Sequence, residues 1–310
     1  MNEMLDEILA DVRPSLKNGE VAEYIPELKK ADQNDLGVCV MTAKGEAYQA
    51  GDWEHEFTMQ SIAKTFILLL ALQKAGKNEV FKRVGMEASG DAFNSFARLE
   101  KEPHLPFNPM INAGAIAAAS FCMNERDDPY PEFLNMVRIL CGRGTIDISD
   151  SVYQSEKKSG KRNRGIAYLM EDAEVLKCDA ESALDFYFKA CSTLANTKDL
   201  AHYALILANN GVNPLNGERL MDEGIAPIIK MMMLTCGMYD ASGEFAVKVG
   251  LPAKSGVGGG IIACAENHMG IATYGPALNK KGNSLGGSLI LAQLSEKLNL
   301  HLFSGNVYYQ

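Results

Sequence analysis

No stretch of this 310-residue chain is apolar for long enough to span a bilayer, so a membrane is not expected as a partner. Basic charge is scarce as well. The 30 Lys and Arg face 39 Asp and Glu, and a net charge of −9 argues against nucleic acid or an anionic surface as the main partner. The N-terminus, Met1-Asn2-Glu3-Met4-Leu5-Asp6-Glu7, lacks the basic-then-apolar pattern of a signal peptide, and a cytoplasmic protein is expected. The seven cysteines are odd in number and scattered without a Cys-x-x-Cys pair, which reads as reduced, packed thiols. Histidine is rare. His55-Glu56 is followed by Met59 where a zinc-protease helix needs a second histidine, and His104, His202, His268 and His301 stand apart. No metal and no cofactor are expected, and a serine–histidine pair has no candidate. Repeats and low-complexity tracts are also missing.

What remains is an ordinary globular composition, 47% hydrophobic and 22% charged, long enough for one large domain or two subdomains. Residues 3–30 read as helical with a break at Pro14. Leu36–Thr42 and Ala47–Ala50 read as an antiparallel hairpin across Ala43-Lys44-Gly45-Glu46. From Ser61 to about Leu234 helical patterning dominates, including Leu200–Asn209 and a methionine-rich helix, Ile225–Leu234, whose methionines read as core. Strand character returns at Phe245–Val249, Gly260–Cys264 and Met269–Thr273, before a last helix from Ser284 to Leu298. Strands at both ends with helices between predict one α/β (mixed α+β) unit, 1–310. Its antiparallel sheet comes from both chain ends (1–75 and 235–310), with an inserted helical lobe (76–234) and a site where the two meet.

Three stretches carry chemistry. In Phe57-Thr58-Met59-Gln60-Ser61-Ile62-Ala63-Lys64, polar residues lead into an apolar run, which places Ser61 in the first turn of a helix burying one face. Lys64 lies one turn on, near enough to activate the hydroxyl. Spacing alone selects nothing, because Ser155 and Lys158 repeat it. Lys254-Ser255-Gly256-Val257-Gly258-Gly259-Gly260 is not a phosphate loop, since its lysine precedes the glycines. It is not a dinucleotide fingerprint either, since the third required glycine falls on Ile261. A Lys-Ser/Thr-Gly box on a strand edge, facing a Ser-x-x-Lys helix, occurs in penicillin-recognising enzymes. Asn112 opens a small-residue helix and reads as a cap or as an amide offered to a ligand. Glu156–Arg164 mixes one carboxylate with five basic residues and reads as a solvated loop or as a local positive potential.

Taken together, these strings resemble the serine-dependent, β-lactamase-like glutaminases of bacteria. The match includes Tyr24-Ile25-Pro26, Gln60–Lys64, Asn108–Ile116, Tyr153–Glu156, Gly160–Asn163, Asp185–Phe188, Thr235–Asp240, Lys254–Gly259 and Gly282-Asn283-Ser284, nearly the whole chain. The resemblance implies a β-lactamase/penicillin-binding-protein-like fold and hydrolysis of L-glutamine to L-glutamate and ammonia. It implies Ser61 as nucleophile and Lys64 as base, with the backbone N–H groups of Ser61 and Val257 as oxyanion hole. Tyr24, Asn112, Glu156, Asn163, Tyr187 and Tyr239 would line the substrate pocket, either of the last two tyrosines relaying protons. A homo-oligomer, dimer or tetramer, is implied too. Two other readings are a penicillin-recognising hydrolase, which a chromogenic β-lactam assay would detect, and a silent glutamine-binding protein, which would bind without forming glutamate.

Overall fold

The computed structural model describes every residue except 24, 90–98, 101–103, 124–127, 267 and 304–310. Its main sheet has five antiparallel strands: β1 (Gly37–Thr42), β2 (Ala47–Gly51), β5 (Ala253–Ser255), β6 (Gly260–Ala265) and β7 (Met269–Tyr274). Their order is β2-β1-β7-β6-β5, so the N-terminal hairpin adds to the C-terminal strands through β1 and β7, with Val38 opposite Thr273. The fold class is therefore mixed α/β with an antiparallel sheet contributed by both ends of the chain.

Both faces of the sheet are covered. Alternate side chains of the central strands point to opposite sides. Val38, Val40, Ile261, Ala263 and Ile271 enter one apolar core with α1 (Asn2–Val12) and α11 (Leu285–Lys297). Cys39, Met41, Ile262, Cys264 and Ala272 enter another with α8 (Thr197–Ala208) and the helices behind it. That double burial explains why β1 and β6 read as continuous apolar runs. The α8 helix lies against β7 so closely that a Cβ at Gly270 would meet Ala201 O and Leu205 N at 2.1 Å.

The helical part comprises α2 (Ala63–Phe81), α3 (Asn112–Ser120), α4 (Tyr130–Cys141), α5 (Asp150–Ser159), α6 (Lys161–Asp172), α7 (Ala180–Cys191) and α9 (Ile225–Cys236). A two-stranded piece, β3 (Phe57–Thr58) with β4 (Leu194–Ala195), ties the entry to α2 to the exit of α7.

Several local expectations fail, each for a physical reason. Phe245–Val249 is not a strand but part of α10 (Ser242–Lys248) and its C-cap. Phe245 and Val249 are buried at i, i+4 while Val247 between them is 79% exposed, a helical pattern that five residues of alternation cannot reveal. The break at Pro14, by contrast, is where expected: α1 ends at Val12 and a 3₁₀ turn, Arg13–Asn18, follows, with Pro14 near its start where a missing N–H costs nothing. Ser61 precedes α2, in a 3₁₀ turn over Gln60–Ile62, and α2 is buried all round from Ala63 to Leu72 rather than on one face. The charged run Glu156–Arg164 is no loop: it spans the end of α5 and the start of α6, joined at Gly160. In α9, Met232 and Met233 are core, but Met231 is exposed.

Candidate active site

The turn bearing Ser61 is held from two sides. Upstream, Met59 N–H bonds to Thr193 O at 2.9 Å, fixing the turn to the segment that follows α7. On the other side is the Gly256–Gly260 loop. A Cβ at Gly256 would lie 2.5 Å from Met59 O, and one at Gly258 would lie 2.7 Å from Thr58 O. Only glycines let this loop touch the backbone before Ser61, and the contact carries Val257 beside the Ser61 turn. Gln60, the residue before Ser61, has φ +48° although it carries a long side chain. That strain is of the kind that sharp functional turns keep.

Lys64 is fully buried. Its Nζ donates to Asn112 Oδ1 at 2.7 Å and to Met110 O at 3.1 Å. Burial lowers its pKa to about 8, with Cys191 and Glu156 opposing. Asn112 is the first residue of α3, and its side chain makes no capping bond, so the cap reading gives way to a different role. Its carbonyl oxygen accepts from Lys64 and, at 3.4 Å, from the Tyr187 hydroxyl, while its Nδ2 donates to Asn163 Oδ1 at 2.9 Å. The amide orientation is thereby set on both ends.

Ser61, Asn112, Glu156, Asn163 and Tyr187 line one cavity of about 110 Å³, with Ile25, Gln60, Arg162, Phe188 and Cys191. Glu156 projects from α5; burial raises its pKa to about 8, against lowering by Gln60 and Lys64. Its Oε2 is buried and no protein group donates a hydrogen bond to it, so a cation entering the cavity would meet an acceptor that the protein leaves open. Tyr239 and Val257 do not line this cavity; they belong to the side of the Gly256–Gly260 loop. Burial raises the Tyr239 pKa, offset by contacts of its hydroxyl with the Ser61 side chain and the Val257 backbone N–H. Tyr24 lies outside the described residues. A larger groove of about 930 Å³ runs along α7, where Lys157 and Lys189 pair with Asp185 and Asp128, and neither Ser61 nor Lys64 lines it.

Composition and motif did not mark three residues that the structure brings to the same place. Lys254 is fully buried, donates to Ser255 O at 2.6 Å and Gly237 O at 3.1 Å, and lies 4.7 Å above the Tyr239 ring. Its pKa falls well below the lysine range through burial first and the nearby Lys64 second. The Lys-Ser-Gly box placed it on a wall; that its amine turns inward beneath Tyr239 has no sequence signal. Gln60 lies in one of the matched strings, and nothing in the sequence marks it or Cys191 as facing the cavity. Among the described residues, no three His, Cys, Asp or Glu side chains are grouped to hold a metal ion, and no helix is long and apolar enough to cross a membrane.

A serine-bearing turn at the foot of a buried helix, set between an antiparallel sheet and a helical lobe, defines an amidohydrolase with the β-lactamase-like fold. Residues 19–303 match the glutaminase family model, and the chain belongs to that family. It is 50% identical over 305 residues to a glutaminase of Clostridium botulinum, covering 98% of this chain and 100% of the relative. It is 45% identical, with the same coverage, to glutaminase 2 of Clostridium perfringens. Among solved structures it superposes with a TM-score of 0.90 on a probable glutaminase from Bacillus subtilis complexed with 6-diazo-5-oxo-L-norleucine, at 36% identity and 97% coverage of both chains. The covalent complex of a Bacillus subtilis glutaminase with 5-oxo-L-norleucine superposes at 0.89, with 36% identity and 97% and 99% coverage.

Proposed function

We propose that this glutaminase hydrolyses the side-chain amide of L-glutamine to L-glutamate and ammonia through a Ser61 acyl-enzyme, with Lys64 as general base. The observation that carries this reading is a fully buried lysine, Lys64, three residues beyond Ser61 in the turn that opens α2. Its Nζ donates to Met110 O and Asn112 Oδ1, and in its neutral form the amine takes the serine proton. Ser61 Oγ bonds to the carboxamide carbon as its proton passes to Lys64 Nζ. The C=O electron pair moves onto oxygen, facing the backbone N–H groups of Ser61 and Val257. Collapse breaks the C–N bond; the nitrogen takes a proton from Lys64, relayed through Tyr239 or Tyr187, and leaves as ammonia. Water then adds to the ester carbon, gives a proton back to Lys64, and the Ser61 oxygen departs with it.

Recognition falls to the helical wall. The substrate ammonium pairs with Glu156, whose free Oε2 is otherwise a buried acceptor without a donor. Asn112, Asn163 and Tyr24 are the groups for the rest of the zwitterion. The parsing of residues 1–310 into a sheet part (1–75 and 235–310) and a helical part (76–234) belongs to this reading, with the cavity between them. So do a cytoplasmic location and a homo-oligomer, dimer or tetramer, both supported by the family and checked by fractionation and light scattering.

The deciding experiment is a coupled ammonia assay with glutamine and asparagine on wild type and Ser61→Ala, paired with mass spectrometry after 6-diazo-5-oxo-L-norleucine. Ammonia from glutamine in wild type alone is expected, with a covalent adduct on the peptide containing Ser61. Wild-type turnover by Ser61→Ala would sink the mechanism.

A further inference from the structure

Tyr239 combines two features that rarely coincide: its buried hydroxyl lies near the Ser61 side chain, and its backbone is in the left-handed region at φ +52°. An aromatic L-residue does not settle there unless its surroundings hold it. The holding groups are buried side chains. The Ser242 hydroxyl accepts from Met238 N–H at 3.0 Å and donates to Tyr239 O at 2.8 Å, tying the peptide unit after the strained residue to the one before Met238. Asn283 Nδ2 donates to Met238 O at 3.2 Å. Ser242 is 6% exposed and Asn283 1%. The loop carrying Asn283 also packs on the ring, since a Cβ at Gly282 would stand 3.8 Å from Tyr239 Cε2. The string Gly282-Asn283-Ser284, which no step of the reaction uses, thus stands behind the tyrosine.

We infer that Ser242 and Asn283 are positioning residues for Tyr239, holding its strained backbone so that the hydroxyl stays on Ser61 when the leaving nitrogen needs a proton. The inference rests on the proposed proton relay through Tyr239. Neither residue touches the cavity that takes the substrate, so their loss misplaces a proton donor and leaves recognition alone. A displacement of about 1 Å at such a group costs on the order of 10²-fold in rate.

The test is a double-mutant cycle on kcat and KM with Ser242→Ala, Tyr239→Phe and their combination, and Ser242→Thr as the variant that keeps the hydroxyl. Ser242→Ala is expected to lower kcat by about 10–100-fold with KM little changed. Ser242→Thr should recover most of that loss, and the combined variant should be no slower than Tyr239→Phe alone. A merely structural role for Ser242 would give additive losses and a KM that moves with kcat. Wild-type kcat in Ser242→Ala, or full additivity, beside a slow Tyr239→Phe overturns the inference and leaves the relay standing. Wild-type kcat in Tyr239→Phe overturns the relay and the inference with it. Where Ser242→Ala does not fold, Asn283→Ala carries the same cycle.

Discussion

The two walls of the cavity are built on different physics. On the sheet side, Lys64 and Lys254 are both fully buried, their pKa values pushed down by desolvation, and the turn and loop around them are pinned by backbone contacts too close for any Cβ. On the helical side, Glu156 and Asn163 come from α5 and α6, whose outer faces carry Lys158 and Lys161 in solvent. These helices are held to α7 by polar contacts such as Tyr153 Oη and Lys157 Nζ on Asp185 Oδ1, each 2.5 Å. A lysine stripped of water is poor at being charged and good at taking a proton; a carboxylate stripped of water waits for a cation. Changes to the sheet wall should therefore fall on kcat, and changes to the helical wall on KM.

The largest break of that contrast is at the dyad. Ser61→Ala and Lys64→Arg should each lower kcat by ~10⁴-fold or more, since Arg keeps a positive charge that cannot act as base. Calorimetry should still show glutamine bound to Ser61→Ala. Loss of binding together with turnover would erase the division between walls. Next comes Gly256→Ala, whose Cβ would have to move Met59 O and with it the oxyanion loop. A fall in kcat of about 10²–10³, the cost of one lost oxyanion donor, is expected in steady-state assays.

On the facing wall, Asn163→Ala should raise KM by about 10–100-fold, the worth of one or two hydrogen bonds to a charged ligand. Because Asn163 also receives the Asn112 amide, which in turn accepts from Lys64, a smaller drop in kcat should accompany it. A drop in kcat as large as the rise in KM would show that the two walls work as one unit.

How much of this was legible differs between the walls in the same way. The sheet wall is encoded locally. Ser61 and Lys64 are one turn apart, and Val257 sits in a glycine run whose crowding against Thr58 and Met59 accounts for its composition. The strands were readable because double burial leaves uninterrupted apolar runs. The helical wall joins residues 112, 156, 163 and 187, and no periodicity brings these together; only the resemblance of long strings did. Where patterning alone decided, as at Phe245–Val249, alternation and an i, i+4 pair look the same until burial is known. The inward turn of Lys254 and the strain at Gln60 and Tyr239 are tertiary outcomes that residue types do not carry.

The smallest effect expected is on stability, and it separates the walls without any assay of turnover. The native pKa of Glu156 is raised from 4.5 to about 8, so between those values the native state holds a proton that the unfolded chain has released. Its contribution to stability is therefore present at low pH and is lost as pH rises toward 8. Lys64 acts in the opposite sense: with its native pKa lowered from 10.5 to about 8, the unfolded chain holds the extra proton between those values, and stability recovers as pH rises above 8. Glu156→Gln removes the first effect and leaves the second. It should match wild type well below pH 4.5 and exceed it by a growing margin up to about pH 8 in denaturant titrations. A variant less stable than wild type at pH 8 would mean that the buried carboxylate is matched by its neighbours without substrate, and the acceptor awaiting an ammonium would have to be sought elsewhere on that wall.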